Sequence, residues 1–139
     1  MPPRVTYWDT SALVATVFVE AHSAEARALA GSAGVHLLSS LAWAELHAVL
    51  ARARRTRSLP EARVDAMQAA VVAGPWHYVN TAPRQDVCQS LARRWGLRGA
   101  DLWHLALAKT LWTDLPELTF AVYDHRLAEA AAGEGILTL

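Results

Sequence analysis

Four carboxylates in this sequence, Asp9, Glu45, Asp101 and Asp124, occupy positions that solubility alone does not explain. Asp9 directly follows the β-prone run Val5-Thr6-Tyr7-Trp8, and Asp124 comes just after Thr119-Phe120-Ala121-Val122. Both also have a plain structural reading, because Asp after a strand makes a good N-cap for the next helix. Glu45 is harder to explain. It stands three residues after Ala42 and four before Val49, on the apolar side of a helix carrying Leu46 and Leu50. A charge facing packed surface is costly unless it is paired, for which an arginine such as Arg52 would serve, or bound to a metal. Asp101 shares a stripe with Leu105, Ala108 and Trp112. A helix dipole accounts for an acid in the first turn but not for that alignment.

Brought together, such acids repel one another by roughly 3 kcal/mol per close pair at an effective dielectric of about 20. A cation between them removes that cost. All-oxygen ligand sets are hard, so Mg²⁺ or Mn²⁺ is the expected ion, and the natural reaction is metal-assisted attack of water on a phosphodiester. Zinc fits poorly, since there is no cysteine pair and no His-Glu-x-x-His, and the 6 histidines are scattered. His104, one turn after Asp101, could touch the site, although a packed or hydrogen-bonded histidine is the simpler reading.

The elements that must position these acids follow from apolar periodicity and from Gly and Pro punctuation. Strands are expected at residues 5–8, 35–38, 119–122 and 136–139, with a weaker one at 76–79. Helices are expected at about 12–19, 23–30, 41–55, 60–73, 83–95, 100–112 and 126–132, the third capped by Ser39-Ser40 and the fourth begun by Pro60. Strands separated by helices imply right-handed crossovers and a parallel sheet covered on both faces. The fold class is therefore α/β, a three-layer sandwich around a parallel sheet of about four to five strands. In open parallel sheets ligands bind outside the carboxyl ends of the strands, where Asp9 and Asp124 fall.

Composition limits the rest. With 139 residues, 53% apolar and 19% charged, the chain fits a single globular domain spanning 1–139. Thirteen basic and 13 acidic residues cancel, so no global field recruits nucleic acid or membrane, and any such partner must be held locally. Cys88 is the only cysteine and can make no intrachain disulfide. The start, Met1-Pro2-Pro3-Arg4-Val5, lacks the apolar stretch of a signal peptide, and no apolar run reaches membrane-spanning length. A cytoplasmic protein without a membrane partner is expected.

Asp9-Thr10-Ser11 after the first strand, Ser39-Ser40 followed by Glu45, Asp101-x-x-His104-Leu105-Ala106-x-Ala108, and Asp124-x-Arg126-Leu127-x-x-Ala130-Ala131 together resemble a PIN domain. The resemblance is closest to the VapC-like ribonuclease toxins of prokaryotic toxin–antitoxin pairs and spans essentially the whole chain. It implies an Mg²⁺- or Mn²⁺-dependent endoribonuclease with Asp9, Glu45, Asp101 and Asp124 at the acidic, metal-binding positions. Ser11 matches a hydroxyl that lies beside the metal, and helix capping is its structural alternative. The resemblance also implies an RNA substrate, a cognate antitoxin protein and a homodimer. Tyr123 departs from the family, which more often has a small or hydroxyl residue near its last acid.

RNA affinity needs positive charge near these acids. Arg52, Arg54, Arg55 and Arg57 form one cluster, and Arg93, Arg94 and Arg98 another. Both also suit the C-terminal ends of helices electrostatically. Trp8, Trp103 and Trp112 fall in core-like patterns, leaving Trp43, Trp76 and Trp95 as the better candidates for a surface that meets RNA or protein. A receiver domain would need an acceptor Asp after its third strand, where Asn80-Thr81 stands, and a Lys after a later one, whereas Lys109 is mid-helix. A dehalogenase-type phosphatase would need Asp where Ser11 stands. A non-catalytic module whose acidic pocket binds a structural ion or a partner's arginine is the alternative from another functional class.

Overall fold

Strand β1 (Val5–Trp8) is buried along its whole length and lies at the centre of the sheet. Its side chains alternate between the faces: Val5 and Tyr7 enter one apolar cluster and Trp8 the other. The computed structural model describes residues 3–139, so the reading of Met1 and Pro2 as part of a start without an apolar stretch lies outside the described residues.

After β1 come α1 (Thr10–Val17), α2 (Ser23–Ala30), β2 (Val35–Ser39), α3 (Ser40–Arg55), α4 (Glu61–Val72), β3 (Trp76–Val79), α5 (Gln85–Arg94), α6 (Gly99–Asp114), β4 (Leu118–Ala121), α7 (His125–Gly133) and β5 (Leu137–Thr138). The five strands form one sheet in the order β3-β2-β1-β4-β5, with every neighbouring pair parallel. Parallel neighbours require crossovers, and the helices that supply them cover both faces. Leu91 of α5, Leu105 and Leu107 of α6 and Leu127 of α7 pack with Tyr7 and Phe120 on one side. Leu13 of α1, Ala26 of α2, Leu46 and Leu50 of α3 and Val64 of α4 pack with Trp8 and Leu38 on the other. This is the α/β/α arrangement expected from the sequence.

Element ends differ where local hydrogen bonding overrides periodicity. Helix α1 stops at Val17 because Phe18 is extended, its N–H bonded to Val14 O, while Ser23 Oγ donates to Phe18 O. Helix α5 begins at Gln85, not at Pro83, since Arg84 takes the extended conformation of a cap. The tryptophan assignment needs correcting too. Trp103 and Trp112 pack against the core as expected but are only partly buried, and Trp43, Trp76 and Trp95, expected at the surface, are partly buried against the two clusters as well. Trp76 meets Trp8 edge-on at 5.2 Å, and Trp95 donates its Nε1–H to Glu134. Among the described residues no helix is long and apolar enough to cross a membrane.

Candidate active site

The carboxyl ends of the central strands open onto a cleft of about 430 Å³. Asp9, Glu45, Asp101 and Asp124 all line it, with Ser11, Thr10, His104 and Arg98. Asp9 is the hinge between β1 and α1. Its N–H bonds Ala121 O of β4 at 3.1 Å, and its Oδ1 accepts the Ala12 N–H at 2.8 Å, so it caps α1 from a position fixed by the sheet. Asp124 caps α7 in the same way, accepting the Leu127 N–H at 2.9 Å. The capping expected of both acids is present, and both face the cleft as well. Ser11 caps nothing: its hydroxyl donates to Asp9 Oδ2 at 2.9 Å.

Glu45 reaches the cleft because Ser39 accepts the Ala42 N–H and starts α3 at the carboxyl end of β2, which brings the second turn of the helix over the pocket. Arg52 is not its partner. Glu45 Oε1 accepts the Thr10 hydroxyl at 2.7 Å and lies 3.5 Å from His104 Nε2. Among the described residues, no Arg or Lys forms an ion pair with any of the four acids. Asp101 stands in the first turn of α6, and Arg98 precedes that helix as its cap residue.

Electrostatics follow from this arrangement. Asp9 is 3% exposed, and burial pushes its carboxyl up to about 6 against the Ala12 and Ser11 hydrogen bonds, with the charge of Asp101 adding to the rise. Asp101 is raised as well, by partial burial first and by Asp124 next, while Arg98 opposes the shift. Glu45 is lowered, mainly by His104. Two of the four acids therefore resist ionisation.

In chemical type this donor set suits a hard divalent cation: oxygen ligands, none of the four acids ion-paired to Arg or Lys among the described residues, and charge repulsion to relieve. The acids line the cleft wall rather than closing on one point, and among the described residues no three acidic, histidine or cysteine side chains stand grouped tightly enough for an ion. Sequence reasoning missed three features of the cleft. Thr10 carries no signal of its own beyond its place between Asp9 and Ser11, the cluster of Arg93, Arg94 and Arg98 does not show which of the three reaches the cleft, and Glu20, a fifth acid on the lining, follows the early end of α1 and has no periodic signal.

Against known families, the PIN domain matches residues 6–132. The chain belongs to the PIN-domain family. It is 36% identical to Ribonuclease VapC45 of Mycobacterium tuberculosis strain CDC 1551 / Oshkosh, over 94% of this chain and 92% of that protein. Ribonuclease VapC49 of M. tuberculosis strain H37Rv matches at the same identity and coverage. Among solved structures, PAE2754 from Pyrobaculum aerophilum superposes with a TM-score of 0.66 at 18% identity, covering 97% of this chain and 83% of that one. FitAcB from Neisseria gonorrhoeae gives 0.63 at 16% identity, covering 96% of each chain. These two share the fold of this PIN domain.

Proposed function

We propose that this PIN domain, read as one unit over residues 1–139, is a metal-dependent endoribonuclease, the toxin of a toxin–antitoxin pair. The observation that carries the reading is that Asp9, Glu45, Asp101 and Asp124 all line one cleft and that, among the described residues, no arginine or lysine is paired to them. The names of its two VapC relatives support a ribonuclease. Asp9, Glu45, Asp101 and Asp124 would hold Mg²⁺ or Mn²⁺. Such an ion supplies charge for the phosphate and acidifies a water nucleophile. Ser11 orients Asp9 through its hydroxyl, and the Arg98 guanidinium gives RNA phosphate a cation at the rim. An antitoxin protein and a second copy of the chain are the proposed partners, and a cytoplasmic location agrees with the single unpaired cysteine, Cys88.

Purified protein incubated with RNA in Mg²⁺, Mn²⁺ or chelator tests the reading. Cleavage should need the metal and fall by at least about 100-fold in Asp9→Asn. Activity that persists in chelator, or that survives this substitution, overturns the mechanism. Mn²⁺ binding without cleavage of any RNA would favour the non-catalytic acidic module.

A further inference from the structure

Behind Glu45 runs a line of hydrogen bonds that the acidic positions alone do not require. Tyr7 Oη lies 2.7 Å from His104 Nδ1, and His104 Nε2 lies 2.9 Å from Thr10 Oγ1. Thr10 in turn donates to Glu45 Oε1 at 2.7 Å. The four residues come from β1, α6, α1 and α3, and Tyr7 and His104 are buried to 0% and 2% exposure. Proton counting gives the line a direction. Thr10 has one hydroxyl proton, and an ionised carboxylate has none to give, so the Thr10 proton goes to Glu45. The Thr10 oxygen must then accept from histidine, which places a hydrogen on Nε2. In the neutral imidazole Nδ1 is then left to accept the Tyr7 phenol.

We infer that Thr10, oriented by the Tyr7–His104 pair, is a positioning residue that fixes the Glu45 carboxylate at the cleft. A glutamate there is 36% exposed and has three rotatable bonds, so repulsion from Asp101 would otherwise favour its swinging into solvent. An arginine could restrain it, but would cancel the charge that a cation needs. A neutral hydroxyl restrains the carboxylate and leaves its charge in place, and the buried Tyr7–His104 pair keeps that hydroxyl from turning elsewhere. The effect on catalysis rests on the nuclease reading. The hydrogen-bond order does not.

The test compares Thr10→Val, which keeps the shape and loses the hydroxyl, with Thr10→Ser, which keeps the hydroxyl. Mn²⁺ affinity is measured by calorimetry and RNA cleavage by steady-state kinetics. Thr10→Val should weaken Mn²⁺ binding by about tenfold and lower kcat by a similar factor, with KM for RNA within about twofold, while Thr10→Ser stays within about threefold of the parent in both. Nitrogen NMR of the parent should find the His104 proton on Nε2. The proposal is overturned by unchanged Mn²⁺ affinity in Thr10→Val, by equal damage in both variants, or by a bare Nε2. A parent that binds Mn²⁺ without cleaving RNA, and whose variants keep the predicted order of Mn²⁺ affinity, removes the nuclease reading and leaves the positioning role standing. A parent that binds no Mn²⁺ overturns both.

Discussion

Two carboxylates in this fold, one buried and one half-buried, titrate in opposite directions. Asp9 is 3% exposed and its carboxyl is pushed up to about 6, chiefly by burial. Glu134 is half-buried, and although burial acts on it too, its carboxyl is held down to about 2 by Lys109, Arg94 and Trp95. Arg94 grips Glu134 with Nε at 2.9 Å and Nη2 at 2.7 Å, Trp95 Nε1 donates at 2.9 Å, and Lys109 Nζ bonds Oε1. An acid that serves the fold has been given cations from α5 and α6. The acids at the strand ends have been given helix N-termini and hydroxyls, which orient a carboxylate without neutralising it. Burial raises both carboxyls, and the sign of the shift is set where countercharge overcomes it, at Glu134 and not at Asp9.

Paired substitutions should break this symmetry. In chelator, Asp9→Asn and Asp101→Asn should raise the melting temperature by several degrees, since each removes a resisted charge at nearly constant shape, while Glu134→Gln should lower it by an amount reflecting about 1–3 kcal/mol of lost charge-assisted hydrogen bonding. With excess Mn²⁺ the parent and Glu134→Gln should both be stabilised, and the two Asn variants much less. The RNA assay should order them the other way, with folded Glu134→Gln active and both Asn variants at least about 100-fold down. Thermal melts that fall for Asp9→Asn as for Glu134→Gln would make Asp9 a purely structural acid.

Stability against pH sharpens the contrast. For Asp9 the folded-state value lies above the ordinary 3.8, so folding resists its ionisation: metal-free stability should decline as pH rises from about 4 through 6 and stay lower above that, by roughly 3 kcal/mol. For Glu134 the folded value lies below the ordinary 4.5, so its contribution is fully present above that pH and is lost as pH falls towards about 2. Urea unfolding in chelator between about pH 3 and pH 8 should therefore lose the neutral-side decline in Asp9→Asn and the acid-side decline in Glu134→Gln. A neutral-side decline that persists in Asp9→Asn would assign it to another group.

Much of the sheet was legible in the sequence because β1 and β4 are short apolar runs bounded by Asp and Pro, and Ser39 announces α3. The four acids were legible because each sits either after a strand or on an apolar helix stripe. Their companions were legible only in part: the spacing from Asp101 brings His104 near the site but does not show what it bonds. Thr10, His104 and Tyr7 lie on three elements and meet only through packing, Thr10 and His104 being 94 positions apart in sequence and Tyr7 and His104 97. Glu134 and Arg94 are 40 residues apart, and Arg94 carries only the signal of a basic cluster while Glu134 carries none. Short-range pattern finds a group that faces the core, but it does not find what the group faces across the core.

The smallest expected effect concerns the arginines, which extend the same comparison to the surface. Arg54 was a candidate for a phosphate track, but its guanidinium is bound to Glu61 at 3.2 Å and Asp65 at 2.7 Å, joining α3 to α4. Arg98 lines the cleft beside Asp101 and forms no ion pair among the described residues. A guanidinium already matched by two carboxylates has little to offer a phosphate, whereas one facing an acidic cleft can meet the RNA backbone beside the candidate cleavage site. Arg98→Gln should weaken RNA binding several-fold and reduce the salt slope of affinity by about one, measured with the uncleavable Asp9→Asn background, and Arg54→Gln should leave both nearly unchanged. The reverse order would move the RNA path away from the cleft rim and onto the end of α3, where Arg52, Arg55 and Arg57 are exposed beside Arg54.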